Sequence, residues 1–173
     1  MSKIQFQQDV LAPNRDWSGE FKNVPKPTFV IAEMNDIAKW NWRVSSSCTF
    51  TDRLEWDVTG DPVHWYGEWR YKDKKDVWTT IWIKVACQGT YDKKTKTGNI
   101  VVRVKPTMTT ELEWHNPFTG MLYYMYFNTF YKPVLRRYLA DSQAKVRSFD
   151  AELRERFGIT HAHVRESVNR RPG

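Results

Sequence analysis

The sequence is poor in glycine, poorer in cysteine, and has no long hydrophobic run. Its 8 glycines are scattered over 173 residues, so no Gly-rich loop is available to cradle a phosphate. Nucleotide binding of the familiar kinds is therefore not expected. The 2 cysteines, Cys48 and Cys87, each sit in an apolar alternating segment and read as buried thiols rather than a disulfide framework. Histidine is scarce as well, with 4 residues. His161 and His163 form a His-x-His pair, but no cysteine pair or third histidine lies near enough in sequence to complete a zinc site. Neither a metal nor another cofactor is expected. The longest uncharged apolar run falls well short of the roughly 20 residues a membrane-spanning helix needs. The first residues, Met1 to Asp9, lack an apolar core of signal-peptide length. A cytoplasmic protein with reduced cysteines is the expectation. No internal repeat and no low-complexity tract is evident.

What is abundant is aromatic side chain and positive charge. Aromatics make up 15% of the chain, with 9 Trp, and hydrophobic residues 40%, which is too apolar for a disordered segment. A chain of this length buries about 70% of its unfolded surface and needs no staple. The net charge of +7 is uneven. Residues 1–131 carry 17 basic and 15 acidic side chains, whereas residues 132–173 carry 10 and 5. Such a basic segment attracts nucleic acid, anionic lipid or an acidic partner, or forms the solvated face of a helix.

Periodicity supplies the architecture. Pro13, Gly19, Pro25 and Pro27 break up the first 28 residues, leaving a short strand around Ile4, Phe6, Val10 and Leu11 and a helical turn over 14–21. Residues 29–38 fit a short helix. From Trp40 the period becomes two: Trp40, Trp42, Val44, Ser46, Cys48 and Phe50 share one face of an extended strand. Leu54, Trp56 and Val58 repeat the pattern, and so do Val63, Trp65, Gly67, Trp69 and Tyr71. After a polar tip at 73–76, Val77, Thr79, Ile81, Ile83, Val85 and Cys87 alternate, with Trp78 and Trp82 on the opposite face. A second basic tip at 92–98 leads to Ile100, Val102 and Val104. Pro106 interrupts that strand before Met108, Thr110, Leu112 and Trp114 continue its parity. Short tips pair such strands antiparallel. Residues 118–131 are dense in aromatics and fit strand or helix. Leu135, Leu139, Ser142, Val146, Phe149, Leu153 and Phe157 then recur at spacings of three and four, an apolar helical stripe that Gly158 stops. The fold class is α+β: an antiparallel meander of five to seven strands packed against one long C-terminal helix. Residues 1–157 make a single domain, and 158–173 a polar tail.

The order of elements, the entry Asp36-Ile37-Ala38-Lys39-Trp40-Asn41 and the closing segment from Pro117 through Lys132-Pro133-Val134-Leu135-Arg136-Arg137-Tyr138-Leu139 to Phe149 and Leu153 resemble the START-like helix-grip superfamily of polyketide cyclases and lipid-transfer domains. The resemblance implies a curved sheet gripping a long helix that closes a cavity. A lipocalin-like closed barrel or another sheet-plus-helix sandwich fits the same pattern.

Candidate chemistry is sparse. The pairs Glu55/Asp57 and Glu111/Glu113 fall on the polar parity of their strands and read as solvated charges, and His64 and His115 as rim residues. Trp40, Trp42, Trp56, Trp65, Trp69 and Trp114 fall on the apolar parity. They fit either a bulky core or an aromatic-lined cavity. The first functional expectation is a binding domain for a hydrophobic or aromatic small molecule or lipid, lined by Trp42, Trp56, Trp65, Trp69, Ile81, Trp114 and Leu139. The second is an accessory subunit of a larger assembly, or a homo-oligomer, docking through Trp78, Trp82, Arg136 and Arg137. The third is a helix-grip cyclase or dehydratase using inward polar groups such as Ser46, Thr79, Thr110 and the tyrosines of 123–131. Lysine-rich tips at 72–75 and 93–96 with neighbouring aromatics leave nucleic acid as a weaker alternative partner.

Overall fold

The computed structural model describes residues 2–25 and 27–157. The polar tail with Gly158, His161 and His163 lies outside them. An antiparallel sheet of six strands carries two helices on one face. In chain order the elements are β1 (Ser2–Asp9), β2 (Trp17–Pro25), α1 (Pro27–Trp42), β3 (Thr49–Asp57), β4 (Val63–Lys74), β5 (Thr79–Tyr91), β6 (Thr97–Trp114), α2 (Pro117–Tyr126), a π-helical segment (Phe127–Tyr131) and α3 (Lys132–Arg156). The sheet order is β1-β6-β5-β4-β3, with β2 also on β6. The expected α+β meander with its long closing helix is the observed fold.

β6 organises the sheet. Its second half pairs with β1 and its first half with β2, so β1 and β2 lie end to end along one side while β5 fills the other. The residues between them leave the edge beside Pro106, whose carbonyl accepts from Val10 N–H. In an extended strand a residue's N–H and C=O point the same way. The N–H that Pro106 lacks would therefore face the break and not a ladder bond. This is why the strand runs on through Pro106 where the sequence reads an interruption. The segment 14–21 likewise belongs mostly to strand β2 and not to a helical turn, because Trp17, Gly19 and Phe21 find partners on β6.

The larger correction concerns residues 40–48. The alternation from Trp40 to Phe50 is not a strand. α1 continues through Trp42, a turn follows, and Ser46–Cys48 form one 3-10 turn before β3 begins. Val30, Met34, Ile37, Ala38 and Trp42 form the buried stripe of α1 at helical spacing. Arg43 then takes a left-handed conformation (φ 54°), and Val44 N–H reaches Lys39 C=O at 3.1 Å. That six-to-one bond, with Arg43 N–H on Trp40 C=O, is a Schellman stop built without glycine. Trp40, on the alternation's apolar parity, is 79% exposed, whereas Trp42 is buried.

β4, β5 and β6 keep the parity read from sequence. Val63, Trp65, Trp69, Tyr71, Thr79, Ile81, Ile83, Val85, Cys87, Ile100, Val102, Val104, Met108 and Leu112 all point into the core. β3 is an edge strand, and Leu54 and Trp56 remain half in solvent there. The ions Arg53, Glu55 and Asp57 line this edge and discourage pairing with another chain. α1 lies on β4–β6 and α3 packs against α1 and β6. Phe149 of α3 meets Trp42 at 4.7 Å between ring centroids, and Trp42 in turn stacks on Tyr71 at 5.9 Å. Asn41 Nδ2 donates to the Lys145 carbonyl (2.8 Å) and Gln143 Nε2 to the Val10 carbonyl (2.8 Å), fastening α3 to α1 and to the edge. Both cysteines are free, and burial pushes the Cys87 thiol far up.

The tryptophans fit because glycines lie under them. A Cβ on Gly89 would fall 2.5 Å from the Trp65 ring, and one on Gly67 would collide with Trp69. Two indoles thus pack flat on the sheet. Gly89→Ala should overpack this site and lower unfolding free energy by about 1–3 kcal/mol in urea titration. An unchanged midpoint would show that Trp65 has room to move.

Candidate ligand-binding groove

Residues 118–131 are helical. Asn116 caps α2, its Oδ1 accepting from Thr119 N–H at 2.9 Å, and Pro117 follows at the first helical position. The cap and proline outweigh the strand preference of the Tyr and Phe that follow. The helix runs on to Arg156 through the π-helical turn, which turns both Phe127 and Tyr131 inward.

Where this helix leaves the sheet, a groove of about 510 Å³ opens between β1, β6 and the α2–α3 junction. Phe6, Met108, Phe127, Leu135 and Leu139 give it apolar walls, and Phe6 stacks on Phe127 at 4.7 Å. Tyr124, Asn128, Lys132 and Arg136 recur every four residues along one side. Lys132 and Arg136 are exposed, and neither forms an ion pair among the described residues. The groove thus combines an apolar bed with two unneutralised cations at its rim.

A directed chain of hydrogen bonds lies behind the groove. Asp76 sits at the β4–β5 tip and accepts four bonds. Trp78 N–H (2.8 Å) and Thr79 N–H (2.7 Å) reach Oδ1, while the Tyr131 (2.6 Å) and Tyr138 (3.0 Å) hydroxyls reach Oδ2. Burial pushes the Asp76 carboxyl up, but the four donors outweigh it and hold the group below the usual carboxylate range. Tyr131 spends its one proton on Asp76. Thr79 must therefore donate to Tyr131 (2.6 Å), and Thr110 in turn to Thr79 (3.0 Å). Thr110 lines the groove with its proton already spent, so its oxygen offers lone pairs only. Burial, then the bond to Asp76, raise Tyr131 far above an ordinary phenol. A carboxylate with four donors and a lowered pKa is a poor general base.

The same tip holds an ion cluster. Lys75 Nζ lies 2.9 Å from Asp73 and 2.8 Å from Asp141 of α3, and Lys145 joins both acids at 3.3 and 3.5 Å. Burial lowers the Lys75 pKa, but its two carboxylates outweigh that and raise it. In the 72–75 tip Lys75 thus clamps α3, and Lys72 lies 5.5 Å over the Trp82 ring.

Of the seven expected lining residues, only Leu139 lines the groove. Trp42, Trp65, Trp69 and Ile81 are core residues at 0–4% exposure. Trp56 stands on the edge strand, 6.3 Å from the Trp65 ring, and Trp114 lies against Gly120 at the start of α2. Trp78 and Trp82 do not share a surface. Trp78 packs edge-on to Tyr131 at 5.3 Å on the helix side. Trp82 is covered by Phe50, Arg70 and Lys72 on the outer face. Arg136 is at the groove rim, and Arg137 is exposed one residue further on. Ser46 is exposed in the 3-10 turn, far in sequence from the Thr79–Thr110–Tyr131 chain. Phe6, Met108 and Phe127 were missed. Met108 had the right parity, but only the pairing of β1 with β6 shows that Phe6 faces the helix.

A second depression, about 820 Å³, lies across β3–β6 where Trp56 and Trp65, two of the expected lining residues, meet Glu55, Tyr66, Gln88 and Val101, the last four facing one another in register. Two of its polar groups, Tyr66 and Glu55, are engaged by neighbours. Tyr66 donates to Glu68 at 2.6 Å, and this bond, aided by burial, pushes its pKa up to about 12. Glu68 also meets Lys84, and Glu55 meets Arg53. No group of three or more potential metal ligands occurs among the described residues.

No family model matches the chain, and no curated protein matches it. Among solved structures, a protein of unknown function, SA2116 from Staphylococcus aureus, aligns over 88% of this chain and 97% of its own at 8% identity and a TM-score of 0.29. The Mll3558 protein from Rhizobium loti aligns over 82% and 99% at 10% identity and a TM-score of 0.19. Likeness of that degree carries no argument about function.

The Asp76 hub yields a signed pH prediction. Its folded pKa lies below the unfolded one, so its contribution is fully present above the ordinary carboxylate range and is lost as pH falls through the folded value. Asp76→Asn should cost about 2–3 kcal/mol near neutral pH. The gap to the parent chain should narrow in acid, as read by urea unfolding across pH. A gap independent of pH would rule out the ionised hub.

Proposed function

We propose that the protein binds a small amphipathic anion, with its apolar body in the groove between β1, β6 and the α2–α3 junction and its negative group at Lys132 and Arg136. The observation that carries this reading is an open apolar groove of about 510 Å³ with two cations on its rim that form no ion pair among the described residues. That volume falls within the usual range of small-molecule sites, roughly 300–1,000 Å³. The core under the rest of α3 is filled by Trp42, Phe149 and Leu153, so the ligand lies at the helix's beginning and not beneath its whole length. Thr110, left as an acceptor by the Asp76 chain, favours a ligand that also carries a hydroxyl or N–H donor on its apolar body. Binding without chemistry is the better-supported role, because no carboxylate lines the groove among the described residues and Asp76 behind it is engaged by four donors.

Calorimetric titration with dodecanoate should show saturable uptake. Lys132→Gln combined with Arg136→Gln should weaken it about three- to tenfold, since exposed charge pairs contribute at most about 1 kcal/mol each. The uncharged dodecanol should be unaffected by the same pair of changes. Absence of saturable uptake of both probes would defeat the proposal.

A further inference from the structure

From Trp114 to Ala140 the chain has no acidic residue, and its cations there are Lys132, Arg136 and Arg137. Within this stretch α2 buries none of its side chains. Phe118 is 70% exposed, Met121 63% and Met125 56%, with Phe130 of the following turn at 66%. A helix apolar on every side is ordinarily found buried in protein or lipid. The inner side of α2 is held by the Asn116 cap, by Trp114 against Gly120, by Tyr123 and Tyr126 on Trp78 and by the inward Phe127 and Tyr131, while Phe118, Met121, Leu122 and Met125 stay in solvent.

Charge decides what covers it. A second copy docked through this stretch by two-fold symmetry would double its three cations and bring no acid from the 27 residues to answer them. An anionic lipid surface answers them directly. Tyr123, Tyr124 and Tyr126 add aromatic rings with polar tips, the side chains that settle at a membrane–water boundary. We infer that the exposed face of α2 inserts into the headgroup region of anionic membranes, with the exposed Arg137, further along on α3, contacting lipid phosphate or carboxylate groups. This is peripheral docking. No described helix is long and apolar enough to cross a membrane. The inference goes beyond the groove and does not depend on its occupant.

The test is sedimentation of the full chain with phosphatidylcholine vesicles, with and without about 30% phosphatidylserine. The chain should pellet with the anionic vesicles and be released by high salt. Leu122→Ser with Met125→Ser, both at exposed positions outside the groove, should weaken vesicle binding roughly tenfold or more. Arg137→Gln should weaken it about fivefold. Lys94→Gln, on the β5–β6 tip at the opposite end of β6 from α2, should leave it unchanged. Equal pelleting with neutral and anionic vesicles, or equal pelleting of the double variant and the parent, would overturn the inference. So would a dimer in sedimentation velocity that the double variant dissolves while vesicle uptake is absent. Titrating the double variant with dodecanoate separates the two surfaces: retained dodecanoate uptake with lost vesicle binding supports membrane docking independently of the groove. If no chain takes up dodecanoate, the vesicle result still decides this inference.

Discussion

The Asp76 carboxylate is the contact on which the arrangement of helix and sheet depends. It sits on the β4–β5 tip, takes two backbone N–H groups from its own turn, and holds Tyr131 and Tyr138 of the closing helix. The neighbouring Lys75–Asp141 contact grips the same helix one turn later. Together they make a hairpin tip act as a latch. Without it, the start of the helix would lose its directed bonds and rest on the apolar stripe, which permits sliding and rotation more readily; the remaining directed bonds, from Asn41 and Gln143, lie further along at 143–145.

The latch also explains why polar and apolar surfaces lie where they do. By accepting the Tyr131 proton it orders every hydroxyl back to Thr110, and so sets the polarity of one wall of the groove. By holding Tyr131 inward, it fixes the helix just after α2, whose outer side, with Phe118, Met121, Leu122 and Met125, is left in solvent. The groove and the uncovered aromatic helix are two consequences of one docking geometry. They adjoin, since Tyr124 of α2 lines the groove whose far wall is β1 and β6.

Strand parity on β4, β5 and β6 and the stripe of α3 were legible residue by residue, because each has one face in water and one in the core. The misreadings have physical causes. Trp42 satisfies both a period of two from Trp40 and a spacing of four from Ala38, so alternation alone could not separate strand from helix end. The stop signal that would have separated them is Arg43 in a left-handed conformation, where glycine is the usual marker. The Trp-lined cavity was expected because parity places Trp65 and Trp69 inward. Glycines at 67 and 89 then let those rings lie flat and fill the space themselves. The groove was illegible for a further reason: its walls come from residues 6, 108, 127 and 135, which only the β1–β6 pairing and the helix crossing bring together.

Periodicity, composition and charge by themselves determined the α+β class, the meander order, the core faces of three strands and the helix stripe, and the basic excess after residue 131. These follow from local repeats, which any folded form of the chain must respect. Tertiary structure alone decided that β1 and β2 share one edge of β6, that Asp76 latches the helix, that Trp78 and Trp82 part to opposite surfaces, and that α2 stands uncovered. Each of those depends on contacts between residues tens of positions apart, where the sequence pattern is the same whether or not the partner arrives.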